Sequence, residues 1–206
     1  MADHAPEPSF TDRLLLDVRA RQDSEGRLPM PDLTGEEIFP FEGEILVRHI
    51  DDPVIPEPPR AGEQGGKPCH ACSLADEDTL MASEHWRLHG IGPSGVPVAV
   101  LLYPRQHVDL DQLPDERARE LGPLMAKVEA AIKSLGGIGQ VHINKWGDGG
   151  AHLHIWFFGR PEGLLQLRGS CLTVWDEVLP KRSQEEWDGT NDRIVRAIEA
   201  RGGLSV

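Results

Sequence analysis

The clearest hydrophobic signal in the chain is Val96-Pro97-Val98-Ala99-Val100-Leu101-Leu102-Tyr103, a near-continuous apolar run that stops at Pro104-Arg105-Gln106-His107. Such a run, too short for a typical helix, predicts a strand buried on both faces. After it, Leu121, Leu124, Met125, Val128, Ile132 and Leu135 recur every three or four residues, the spacing of an amphipathic helix. That helix opens at Leu113-Pro114-Asp115-Glu116, with proline tolerated in the first turn and acids at the positive end of the dipole, and closes at Gly136-Gly137. Ile138 to Lys145 then alternates, placing His142 and Asn144 on one face of a strand and Val141 and Ile143 on the other. The turn Gly147-Asp148-Gly149-Gly150 leads into a second alternation, in which His152, His154 and Trp156 oppose Leu153, Ile155 and Phe157. A period of two predicts a strand from His152 with both imidazoles on one face and the aliphatic residues in the core.

The flanking segments are weaker. Trp86-Arg87-Leu88-His89 reads as a short strand and Gly90 to Gly95 as a turn; Leu165 to Val174 is expected to add a further strand. Gln184 to Arg201 carries Trp187, Asn191, Ile194, Val195 and Ile198 on one helical stripe. Strand, helix, strand, strand, helix predicts an α+β fold, helices packed on a largely antiparallel sheet. Residues 1–68 differ: prolines, glycines and acids surround short apolar islands, one of which, Phe39 to Ile50, alternates like a strand. The expected organisation is an irregular N-terminal extension, residues 1–68, and a domain with a C-terminal helix, residues 69–206.

Composition narrows the function. Lysine and arginine total 21 against 34 aspartates and glutamates, a formal charge of −13, which argues against general nucleic-acid binding or attraction to anionic membranes. No apolar run approaches the roughly 18 residues that span a bilayer, and the N-terminus lacks the basic and apolar regions of a signal peptide; a soluble cytoplasmic protein is expected. Three cysteines are too few for a disulfide framework, and two form Cys69-His70-Ala71-Cys72, a metal half-site or a redox pair in a reducing compartment. The short acidic segment after it, Ser73 to Ser83, does not suit a thioredoxin-like motif and favours the metal. His70, His85, His89, His107, His142, His152 and His154 are all candidates for the remaining ligands, and spacing does not choose among them. Cβ atoms two apart on a strand lie roughly 6.5 to 7 Å apart, so one of His152 and His154 can serve a metal and the other a substrate.

Taken together, Leu102-Tyr103-Pro104-Arg105-Gln106-His107-Val108-Asp109-Leu110-Asp111-Gln112-Leu113, the helix, the strand bearing Asn144, the glycine turn and His152-Leu153-His154 resemble the histidine triad (HIT) superfamily, in its zinc-bearing branch with galactose-phosphate uridylyltransferase-like proteins. The resemblance covers roughly residues 69–160 and implies a HIT-like fold. It further implies a structural zinc ion held by Cys69, Cys72, His107 and His152, a nucleophile at His154, and a substrate contact at Asn144. The implied chemistry is nucleotidyl hydrolysis or transfer through a nucleotidyl-histidine, with a small phosphate-containing or nucleotide ligand as partner and a homodimer as a common state of the superfamily. Gly149 and Gly150 could offer backbone N–H groups to phosphate oxygens, with Arg160 or Arg105 as counter-charge, and Trp156 a flat wall for a planar group.

The chain departs from the superfamily in two places. One is the short segment between Asn144 and His152, with Ala151 in a region where relatives often carry polar residues that bind phosphate; the other is the position two beyond the nucleophile. Most members carry a third histidine two residues beyond the nucleophile and uridylyltransferases a glutamine, whereas this chain has Trp156. An indole N–H only donates and exchanges no proton with a leaving group near neutral pH. The alternative function is therefore a catalytically silent HIT-like ligand-binding or scaffold protein.

Overall fold

A computed structural model describes residues 19–27 and 52–205. Two compact units divide the chain, residues 1–56 and 57–206. In the first, residues 19–21 are helical; the strand expected over Phe39 to Ile50 lies outside the described residues.

The second unit is built on a five-stranded, wholly antiparallel sheet, with β1 (Met81–Ala82), β2 (Trp86–Gly90), β3 (Val98–Pro104), β4 (Ile138–Asn144) and β5 (Ile155–Pro161) in the order β1-β2-β3-β5-β4. The apolar run forms β3, which lies at the centre with β2 and β5 as neighbours. Six of its seven residues are buried, the exception being Leu101, which faces the candidate site.

Four helices accompany the sheet: α1 (His70–Ser73), α2 (Asp115–Lys133), α3 (Leu172–Val178) and α4 (Gln184–Glu199). The expected long helix is α2, with Asp115 and Glu116 in its first turn and Gly136 and Gly137 at left-handed φ of 75° and 68° just past its end. Leu124, Val128 and Ile132 of α2, with Ile194 and Ile198 of α4, pack on Val98, Val100, Leu102, Ile155 and Phe157 of the sheet and on Leu153 just before β5. At about 1.5 to 3 kcal/mol per buried large side chain, this layer dominates the stabilisation of the strands that carry the site. The start of α4 is set by Ser183, whose hydroxyl accepts from the Glu186 N–H while the Glu186 carboxylate accepts from the Ser183 N–H.

The opposite face is covered over part of its area by a second cluster, in which Leu167, Leu172 and Trp187 pack on Val96, Ala99 and Phe158. Here the expected strand over Leu165 to Val174 is corrected: the segment folds as 3-10 turns at Leu165–Leu167 and Gly169–Cys171, followed by α3. Gly169 at a φ of 62° breaks any extended run, and Leu172, Trp175 and Leu179, spaced three and four apart, face the cluster as a helical stripe. Among the described residues no helix is long and apolar enough to cross a membrane.

Candidate metal centre and the adjacent histidine

Four ligand-type side chains converge from three parts of the chain. Cys69 stands just before α1, whose single turn returns Cys72 to the same side; His107 lies in the loop after β3; His152 comes from the segment leading into β5. Their donor atoms all lie within 4.8 Å of one another, and the group could hold a metal ion. His152 Nδ1 is 3.4 Å from both sulfurs, and His107 Nδ1 is 3.3 Å from Cys72 Sγ. The cysteines are free thiols, not a disulfide. Partial burial of the sulfur and the adjacent Cys69 thiol push the Cys72 thiol up to about 11, a cost of crowding two thiols that a bound cation would reverse.

The tautomers of the two central histidines follow from their carbonyl partners, since a carbonyl oxygen only accepts. His152 Nε2 is 2.7 Å from Pro104 O and must carry the hydrogen, so the Nδ1 lone pair faces the thiols. His154 Nδ1 is 2.8 Å from the carbonyl oxygen of His152 and is likewise the donor, leaving Nε2 with a lone pair. His152 is 4% exposed and its burial lowers its pKa, while His154 is half-buried and lines a cavity of about 240 Å³.

The segment that holds these histidines differs from the expectation in one respect: β5 begins at Ile155, not at His152. The Leu153 N–H donates to Val108 O in the loop after β3, and Ala151 N–H to Ala61 O, so residues 151–153 pair with loops and not with the sheet. Leu153, Ile155 and Phe157 do enter the core as the alternation requires.

Of the other expected site residues, Gly149, Gly150 and Trp156 line the cavity with His154. The N–H groups of Gly149 and Gly150 donate to no acceptor among the described residues. Trp156 lies edge-on to His154, with ring centroids 6.2 Å apart and planes at 75°. Asn144 is paired with Trp156 across the β4–β5 ladder and faces a neighbouring pocket with His142. Arg160 is not brought to this site: six residues along the strand from His154, roughly 20 Å at the usual rise, it is 8% exposed and donates to the carbonyls of Pro161 and Leu164. Arg105 is also engaged elsewhere, donating to Ser83 O and pairing with Asp76, which Arg87 binds as well at 2.7 Å.

Sequence reasoning did not find the residues that hold the glycine turn. Ala61 forms a parallel bridge with Gly150, its N–H donating to Gly149 O and its carbonyl accepting from Ala151 N–H. Arg60 donates to Asp109 at 2.7 Å and to Gly147 O at 3.1 Å, and Lys145 pairs with Asp109 at 3.1 Å. Burial opposes ionisation of Asp109, but the Arg60 guanidinium, the Leu110 N–H and Lys145 outweigh it and hold the carboxyl down to about 2. Gly62, at a φ of 94°, lies against the His107 ring, where an added Cβ would fall 2.4 Å from Cε1. In the sequence the segment from Arg60 to Lys67 reads only as a glycine-rich turn, and a backbone bridge leaves no side-chain pattern.

No family model matches the chain, and no curated protein matches it. Among the solved structures that are similar to it are two histidine triad proteins. A hypothetical histidine triad nucleotide-binding protein from Sulfolobus tokodaii strain 7 aligns over 64% of this chain and 93% of its own, at 16% identity and a TM-score of 0.50. A histidine triad protein from Bradyrhizobium japonicum aligns over 61% of this chain and 97% of its own, at 21% identity and the same TM-score of 0.50. Neither of these two speaks for the uridylyltransferase branch. At these identities the likeness is one of architecture alone: this chain has the histidine triad fold.

Proposed function

We propose that the protein is a nucleotidyl hydrolase or transferase that binds a small phosphate-containing, nucleotide-like substrate and attacks its phosphorus with His154 Nε2. The observation that carries this reading is the hydrogen bond from His154 Nδ1 to the carbonyl of His152, which fixes the reactive tautomer through the backbone of a residue in the metal cluster. The neutral Nε2 forms a bond to phosphorus while the P–O bond to the leaving group breaks and its electron pair departs with that oxygen. The imidazolium charge that develops is held by the same Nδ1–H to carbonyl bond. Water or a second phosphate then attacks the phosphorus, the P–N bond breaks with its electron pair returning to Nε2, any proton of the attacking water passes to solvent, and His154 is back in its starting form. The Gly149 and Gly150 N–H groups are the donors assigned to the phosphate oxygens, and Asn144 contacts the substrate from β4.

Cys69, Cys72, His107 and His152 would hold zinc as a closed, structural site. For tetrahedral zinc with bonds of about 2.3 Å to sulfur and 2.0 Å to nitrogen, sulfur and nitrogen ligands sit about 3.5 Å apart; the three separations measured are 3.3, 3.4 and 3.4 Å. With all four positions filled by the protein, zinc would supply rigidity and no coordination site for water. Free thiol ligands suit a reducing compartment, in keeping with a cytoplasmic protein.

Trp156 sustains a second reading, a ligand-binding or scaffold protein without turnover, because the indole beside His154 has no acid function. Incubation with nucleotides labelled at the α-phosphorus, followed by acid and alkali treatment and peptide mapping, separates the two. An acid-labile, alkali-stable label on the peptide bearing His154 is expected; binding of the same nucleotides with no label on any histidine leaves the binding protein.

A further inference from the structure

Trp156 walls more than the His154 cavity. It also borders a second cavity of about 340 Å³, shared with Trp146, Phe158 and Thr173. Trp146, Phe158 and Thr173 in turn border a pocket of about 310 Å³ that reaches His142, Asn144 and Ser170. The ladder explains the arrangement: Asn144 pairs with Trp156 and His142 with Phe158, so the four side chains occupy one patch of the open sheet face, opposed by the turn Gly169–Cys171 and α3.

Three features of this space point to a ligand. Trp156 and Phe158 lie parallel, with ring centroids 5.3 Å apart and planes 3° apart, and Trp146 stands edge-on to both at 6.0 and 6.3 Å while remaining 43% exposed. An indole exposed beside two other aromatic rings is apolar surface that a planar molecule would cover. His142 Nε2 is buried without a hydrogen-bond partner among the described residues. Finally, among the described residues no lysine or arginine lines either pocket, and Asp176 and Glu177 border the larger one, an environment that disfavours phosphate.

From these we infer that the Trp146–Trp156–Phe158 patch is the subsite for the leaving half of the substrate and takes a planar aromatic or heteroaromatic group without negative charge, read by His142, Ser170 and Thr173. This rests on the reading of His154 as nucleophile. A displacement at phosphorus runs in line, so the departing oxygen lies across the phosphorus from Nε2, and Trp156 borders both cavities. A planar group bonded through a stabilised oxyanion leaves with the P–O electron pair and needs no proton from the protein, which suits a site with an indole in place of an acid.

The test uses the full chain and two substrates with one nucleotidyl half, a nucleoside 5′-(4-nitrophenyl phosphate) and the nucleoside 5′-phosphorofluoridate, whose leaving groups are planar and small respectively. Trp146→Ala, and Thr173→Phe from the opposite wall, should each lower the ratio of aryl to fluoridate kcat/KM about tenfold. In His154→Ala, which forms no adduct, calorimetry should find the aryl ester bound about tenfold tighter than a nucleoside 5′-(methyl phosphate) with the same nucleoside, and adding Trp146→Ala should erase that ratio. Unchanged ratios in both assays overturn the subsite. Absence of an adduct with either substrate overturns the nucleophile reading instead, and the calorimetric ratio then still decides the subsite.

Discussion

His152 and His154 are two residues apart in sequence and face opposite demands. His152 is 4% exposed, its Nε2–H is fixed by Pro104 O, and its Nδ1 lies 3.4 Å from two sulfurs, so both ring nitrogens are committed. His154 is half-buried, and only its Nδ1–H is fixed; Nε2 has no hydrogen-bond partner among the described residues. The surroundings match: the first belongs to a cluster against which Gly62 packs closely, and the second lines a cavity beside the N–H groups of Gly149 and Gly150, which donate to no acceptor among the described residues. Two residues of the same type thus acquire different chemistry from the hydrogen bonds that fix their tautomers and from the number of nitrogens left over.

The comparison can be broken most severely at His154. Replacing it with alanine should lower turnover roughly 10⁴-fold or more with a melting temperature within a degree or two of wild type, because its side chain contributes a single backbone hydrogen bond. Steady-state rates and a thermal scan on the same preparation check this, and a large fall in melting temperature would show that His154 is also structural. On the other side, chelation at neutral pH should lower unfolding free energy by several kcal/mol, since metal held by the native state alone is folding free energy. Denaturant curves with and without chelator measure it; superimposable curves would remove the structural metal.

Gly62→Ala sharpens the comparison without touching a ligand. The left-handed φ and the 2.4 Å approach to His107 should cost about 1 to 3 kcal/mol and weaken metal binding more than it slows the attack by His154. A competition titration with a chromophoric chelator reads the first and single-turnover kinetics the second.

Acid should reveal the brace on the glycine turn. Asp109 is held at about 2 in the fold, below the ordinary carboxylate value of about 4, so its contribution is complete above the latter and is lost as the pH falls toward the former. The advantage of wild type over Asp109→Asn in urea midpoints should therefore shrink between those two values; a difference that stays constant would mean that the pairs with Arg60 and Lys145 contribute nothing that titrates. The smallest expected effect is at Trp156. Trp156→His should reduce the dependence of rate on leaving-group pKa a few-fold, if the new imidazole can donate a proton; a wild type already insensitive to leaving-group pKa would show that another residue protonates the leaving group.

The elements with long or strongly periodic patterns were legible: the β3 run, the α2 stripe and its glycine stop, the alternation of β4, and the core face of Leu153, Ile155 and Phe157. The segment Leu165 to Val174 was not, because its few apolar residues suit an alternation until the spacing of Leu172, Trp175 and Leu179 is extended past it. Cys69 and Cys72 announced a metal half-site through their own spacing, but His107 and His152 meet them only through the fold and were named from the superfamily likeness. Ala61 and Arg60 left no trace, since one acts through its backbone and the other at a sequence separation of 87 residues from Gly147. Trp146 belongs to no pattern in the sequence; its meaning comes from the two rings that β5 places beside it.

The division between the two histidines is tested most directly by the metal content of purified His152→Ala and His154→Ala, measured by plasma mass spectrometry against protein concentration. The geometry predicts about one equivalent of zinc per chain in His154→Ala and a large loss in His152→Ala. Metal retained in His152→Ala and lost from His154→Ala would contradict it.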